Sequence, residues 1–143
     1  MDEPIERPSE PMRCAIVVDV NLAAGKAANA AAVVALTIGK RHPELAGADL
    51  IDAGGDAHPG LIPIGIAVLA AETNELPGVR ARALKNGIDI VDFPALGQQT
   101  TDYSEFGLRV RQTPGEELAY VAVGLYGTRK AVGKLIGKYS LLK

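Results

Sequence analysis

Cys14-Ala15-Ile16-Val17-Val18-Asp19-Val20-Asn21-Leu22-Ala23-Ala24-Gly25-Lys26-Ala27-Ala28-Asn29-Ala30 is the stretch whose reading decides the fold. Its first five residues form a continuous apolar, β-branched run, the pattern of a central strand buried on both faces. Asn21 to Gly25 reads as a turn. Lys26 to Lys40 reads as a helix, rich in alanine and given bulk by Val33, Val34, Leu36 and Ile38. Gly39 and Pro43 stop it.

Outward from this unit, the chain repeats the alternation. Leu45 to Pro63 is rich in turn residues, with a short strand expected around Asp49 to Ala53. A strand follows over Ile64 to Ala70, and Glu72 to Pro77 turns the chain. A helix then runs to Lys85 and ends at Asn86-Gly87. Ile88 to Phe93 is the next strand, and Pro94 to Phe106 is polar and irregular. Leu108 to Arg111 reads as an extra edge strand and Leu118 to Val123 as a strong one. Gly124 to Gly127 leads into a last helix with Thr128 as N-cap, which stops near Gly137 before a short apolar tail, Tyr139 to Leu142. Strands alternating with helices predict a layered α/β fold of one domain, over residues 13–143, with a mixed sheet flanked by helices. Residues 1–12 carry three prolines and four acidic groups up to Pro11 and read as a mobile arm.

Composition narrows the function classes. The 143 residues are 48% apolar and 22% charged, with net charge −2 and no Trp. Nothing global draws such a chain to nucleic acid or anionic lipid. Arg129, Lys130, Lys134, Lys138 and Lys143 collect at the C-terminus, either as a solvated helix face or as a local basic patch. The single cysteine, Cys14, lies in the first strand and reads as a packing residue. The acidic, Pro-rich start is unlike a signal peptide, and no apolar run approaches a membrane span, so a cytoplasmic location is expected.

Few residues carry chemistry. Gly25-Lys26 at a helix start faintly resembles a phosphate-binding loop, but Val20 stands where a second glycine is needed and Ala27 where Ser or Thr is needed. A cation there opposes the helix dipole, so Lys26 is either a solvent-facing lysine or part of an anion site with the free backbone N–H groups. Asp52, Asp56 and His58 share one stretch that could ligate a metal, although turns collect aspartate for backbone reasons. No metal or other cofactor is called for. Ser9, Ser104 and Ser140 lack the strand-elbow context of a nucleophile. Tyr103 and Phe106 could stack on a ring-shaped ligand or simply pin their loop.

The stretch Ile16 to Ala30 resembles the opening of the peptidyl-tRNA hydrolase II superfamily, in which an apolar strand, an Asp-Leu-like turn and Gly-Lys-x-Ala-Ala-Gln begin the first helix. Leu118 to Gly124, Tyr126-Gly127-Thr128 and Ala131 to Gly137 resemble that family's last strand, Gly-rich turn and last helix. The layout is similar over Arg13 to Leu142 and is closest to an uncharacterised branch, a domain of unknown function. The resemblance implies a peptidyl-tRNA hydrolase II-like fold, a homodimer, and a catalytic set of Lys26, Asn29 in place of a Gln, and Asp92. Gly25, Gln98, Thr100, Thr101 and Tyr120 are the matching candidates for substrate binding, with Tyr120 standing where the family has a threonine. Phe93-Pro94-Ala95-Leu96 breaks the family's pattern after the aspartate.

Two functions follow as expectations. One is hydrolysis of an acyl ester, with Lys26 stabilising an oxyanion and Asp92 orienting the lysine or a water. The other is a non-catalytic module holding a small anionic ligand in the same crevice. Binding of tRNA is the weaker partner expectation, because it needs many phosphate contacts and the chain is acidic.

Overall fold

The computed structural model describes residues 10–143. The arm assigned to residues 1–12 therefore lies outside the described residues up to Ser9. Met12, assigned to the arm, instead opens the first strand, β1 (Met12–Asp19).

β1 lies at the centre of the sheet. β4 (Ala67–Ala71) runs parallel to it on one side, and β6 (Tyr120–Thr128) runs antiparallel on the other. β5 (Asp89–Pro94) pairs with β6 at one edge and β7 (Ser140–Leu141) with β4 at the other. The order β5-β6-β1-β4-β7 makes a mixed five-stranded sheet. A separate hairpin, β2 (Leu50–Ile51) with β3 (Ala57–His58), lies outside it.

Alternation along β1 divides the core. Cys14, Ile16 and Val18 face α1 (Ala24–Arg41), with Ala27, Ala30, Val34 and Ile38 packed on them. Ala15 and Val17 face α2 (Leu76–Lys85) and α4 (Arg129–Ile136) on the other side, with Leu76, Val79, Val132 and Ile136. The protein is thus an α/β sandwich of three layers, helices on both faces of a mixed sheet, as the alternation implied. Lys40 and Arg41 in the last turn of α1 complement its dipole, and Arg82 and Lys85 do the same in α2. Gly87, at φ +70°, takes the left-handed position that ends α2 after Asn86.

Three expectations are corrected. Leu108 to Arg111 is not an edge strand but the second half of a helix, α3 (Tyr103–Arg111). Asp102 caps it by accepting the Ser104 N–H at 2.9 Å, and Glu105 pairs with Arg109 one turn on, at 2.8 Å. The supposedly irregular Pro94 to Phe106 is therefore a 3-10 turn at Ala95–Gln99 followed by the start of α3. Gly124 to Gly127 does not leave the strand; β6 continues through it to Thr128, and at Gly124 α1 presses so closely that a Cβ would overlap Val34 and Ile38. The short apolar tail, Tyr139 to Leu142, contains a further strand, β7, which closes the sheet edge.

Candidate functional site

Lys26, Asn29, Val33 and Thr37 are spaced three and four residues apart and lie on one stripe of α1. The 3-10 turn and α3 fold back against this stripe. Gln98 donates from Nε2 to the Lys26 carbonyl oxygen at 2.9 Å and to Asn29 Oδ1 at 3.2 Å. That leaves the Asn29 amide N–H groups as donors. A Cβ on Gly97 would overlap the rings of Phe93 and Phe106, so glycine is what lets the turn sit this close. Gly25, in the first turn, has open space around the position of a Cβ.

Between α1, β5 and α3 lies a cleft of about 430 Å³. Val33, Val91, Phe93 and Phe106 form apolar walls, while Thr37, Asp92, Thr100, Thr101 and Asp102 are its polar residues; Lys26, Asn29 and Gln98 lie nearer the start of α1 and do not line it. Phe106 packs against Phe93 at 6.4 Å between centroids and against Tyr103, edge-on, at 6.1 Å. Tyr103 is 87% exposed, so one of its ring faces is open to a ligand. The Thr100 hydroxyl bonds Glu105 and the Asp102 N–H, which ties it to the start of α3.

The structure brings together Lys26, Asn29 and Gln98, with Gly25 in the same first turn and Thr100 and Thr101 along the cleft. Asp92 borders the same cleft as Thr100 and Thr101, but its carboxylate does not reach Lys26, and Tyr120 is not brought to them. The Asp92 side chain alternates onto the α2 face of the sheet, level with Val123 of that core. There its carboxylate accepts from Arg80 Nε at 2.6 Å, and this hydrogen bond raises the Arg80 pKa. Tyr120 is buried in the same core beneath Arg80, 5.9 Å from the ring centre, and burial pushes its phenol up. The sheet thus separates the side chains of Lys26 and Asp92. The α1 stripe offers an amine, amides and hydroxyls but no carboxylate hydrogen-bonded to Lys26 among the described residues.

Two polar clusters escaped the sequence reading. Asp19, buried at the end of β1, accepts on Oδ1 from the Asn21 backbone, the Asn21 amide and the Thr73 hydroxyl. It locks the loop after β1 to the loop after β4. Asp89 accepts two bonds from Arg41, at 2.6 and 2.9 Å, and meets His42 Nε2 at 2.6 Å. Arg41 foremost holds its carboxyl down at about 2. His42 also lies on the Tyr126 ring, 4.2 Å between centroids. Partners so remote in sequence leave no local signal; only the pairing of β5 with β6 beside the end of α1 brings them together.

The Asp52 stretch follows its turn reading: Asp52 accepts from the Gly54 and Asp56 N–H groups and meets His58 Nε2 at 2.8 Å. Among the described residues no three potential metal ligands gather. Burial drives the Cys14 thiol up to about 11, which keeps it protonated and unreactive. Among the described residues no helix is long and apolar enough to cross a membrane.

Comparison with curated proteins gives no match. A solved structure from Agrobacterium tumefaciens strain C58, of a protein of unknown function, is similar with a TM-score of 0.83. The likeness covers 91% of this chain and 96% of that one at 20% identity, and supports the fold alone. The model of the family "Protein of unknown function (DUF2000)" matches residues 12–143, and the chain belongs to that family.

Proposed function

We propose that the cleft beside α1 binds a small anionic ligand with an apolar body, without turning it over. One observation carries this: an apolar cleft of small-ligand size is walled by Val33 and Thr37 of α1, on the stripe that Lys26 and Asn29 begin one to two turns earlier. A ligand that extends past Val33 toward the start of α1 would bring an anionic head to the first-turn N–H groups, the Lys26 amine and the Asn29 amide, away from Asp102 in the cleft wall. Val33, Val91 and Phe106 favour a hydrocarbon body. A short-chain carboxylate has this shape and charge.

Calorimetric titration with hexanoate tests the reading. Saturable binding is expected, weakened about tenfold in Lys26→Ala, the loss of roughly 1.4 kcal/mol that one charge-assisted contact supplies. Absence of binding, or full-strength binding to the variant, contradicts it.

The resemblance to peptidyl-tRNA hydrolase II enzymes supports a second reading, an acyl-ester hydrolase. The Asn29–Gln98 amide pair beside Lys26 favours it, because amide donors and an amine suit a developing oxyanion. Against it stands Asp92, engaged by Arg80 on the far face. Release of free tRNA from peptidyl-tRNA, lost in Lys26→Ala, would establish the hydrolase.

A homodimer belongs to either reading. Ala28, Ala32 and Leu36 form an exposed stripe on the outer face of α1, and Leu36 is 78% exposed. Sedimentation is expected to give a dimer that Leu36→Glu dissociates; a monomeric wild type contradicts this.

A further inference from the structure

On the face of the sheet opposite that cleft, α2 and α4 enclose a second groove of about 390 Å³. Arg82 and Asn86, one turn apart on α2, form one wall, and Lys134 and Lys138 form the other. Ala131 and Leu135 make an apolar floor. Among the described residues no carboxylate lines it.

Three cations so placed repel one another, and their surroundings offset this only in part. Arg82 and Lys134 stand in the last turns of α2 and α4, where each meets about half a negative elementary charge from a helix dipole. Lys138 reaches Glu75 only at 4.0 Å, across the rim. Arg82 and Lys134 form no ion pair among the described residues, whereas Arg41, Arg80 and Arg109 each hold a carboxylate at 2.6 to 2.8 Å. An excess of about two positive charges is left around an apolar floor, on a chain whose net charge is −2.

We propose that this groove binds a small phosphate monoester. The Arg82 guanidinium offers a planar fork of donors for phosphate oxygens, and its one hydrogen-bond partner among the described residues, the Tyr139 hydroxyl, is neutral and distant at 3.5 Å. Lys134 and Lys138 supply point charges opposite. Asn86 donates its Nδ2 to the Arg82 carbonyl at 2.7 Å, which turns its Oδ1 into an acceptor for a hydroxyl of the ligand. Leu135 and Ala131 support the ligand's carbon skeleton. The walls are short, helices of ten and eight residues or about 15 and 12 Å. That length suits one or two phosphates rather than the extended phosphate track of a nucleic acid.

Amide chemical-shift titration of the full chain with ribose 5-phosphate tests this, with sodium sulfate at equal ionic strength and a ten-nucleotide single strand beside it. Saturable shifts at Arg82, Asn86, Ala131 and Leu135 are expected for ribose 5-phosphate. Arg82→Gln and Lys134→Gln should each weaken it at least fivefold, with the melting temperature and hexanoate binding unchanged. Equal shifts with sulfate would show surface cations only and overturn the proposal. Tighter binding of the oligonucleotide than of ribose 5-phosphate would also overturn it, in favour of a nucleic-acid surface. Because the groove and the α1 cleft lie on opposite faces, either site can fail without the other.

Discussion

Asp89 shows how much one side chain does when two partners converge on it through three contacts. Its carboxyl is held at about 2 against an ordinary 3.8. A depressed folded-state value stabilises the fold above the unfolded value and is lost as pH falls through the folded one. Stability from this cluster is therefore full above about pH 5 and declines from pH 4 toward 2. Discounted for a side chain 27% exposed, the contribution is about 1 to 2 kcal/mol. Asp89→Asn should lower stability by about that amount at pH 7 and by much less at pH 2, as read from denaturant midpoints. An equal loss at both values would mean that charge is not what holds Arg41 and His42 there. Lys26, by contrast, was legible from sequence because a cation at a helix start is conspicuous by itself. Asp92 was visible only as a residue at a strand end. Which face it takes depends on strand register, and its Arg80 partner comes from a helix that the local pattern does not link to it.

Among the elements, α1 and β6 fit most tightly. A Cβ at Gly124 would overlap Val34 and lie 2.8 Å from Ile38 Cδ1. Gly124→Ala is expected to cost about 1 to 3 kcal/mol through this overpacking, despite the better β propensity of alanine. Gly25→Ala, in open space within the first turn, should be neutral or slightly stabilising. Thermal melts of the two variants check the pair; equal effects would contradict the packing account. This same contact explains the misread end of β6. Glycines at 124 and 127 look like a turn, yet Gly124 marks where α1 presses on the sheet. The Arg109-Val110-Arg111 alternation looks like a strand, yet the Asp102 cap and the Glu105–Arg109 pair decide for helix. β1 and α1 were legible because a continuous β-branched run and an alanine-rich run each carry a local pattern, and α2 because Pro77 and Asn86-Gly87 bracket it.

At the scale of the molecule, the mixed sheet sets the functional layout. It holds a cleft with an apolar wall on the α1 face, and a cationic groove on the α2–α4 face. The layered α/β class followed from the order of strands and helices alone. The cleft did not, because half of its wall is α3 and the 3-10 turn, whose positions depend on Gly97, Phe93 and Phe106 meeting across the fold. Separation of Asp92 from Lys26 by the sheet is likewise a property of the whole fold, and it weights the reading toward binding over hydrolysis. The most direct test is to map amide shifts while titrating the wild-type chain with hexanoate. The account predicts saturable shifts confined to the start of α1, to Val33 and Thr37, to β5 and to residues 95–111. Shifts that are absent, or that fall only on the α2–α4 face, would contradict it.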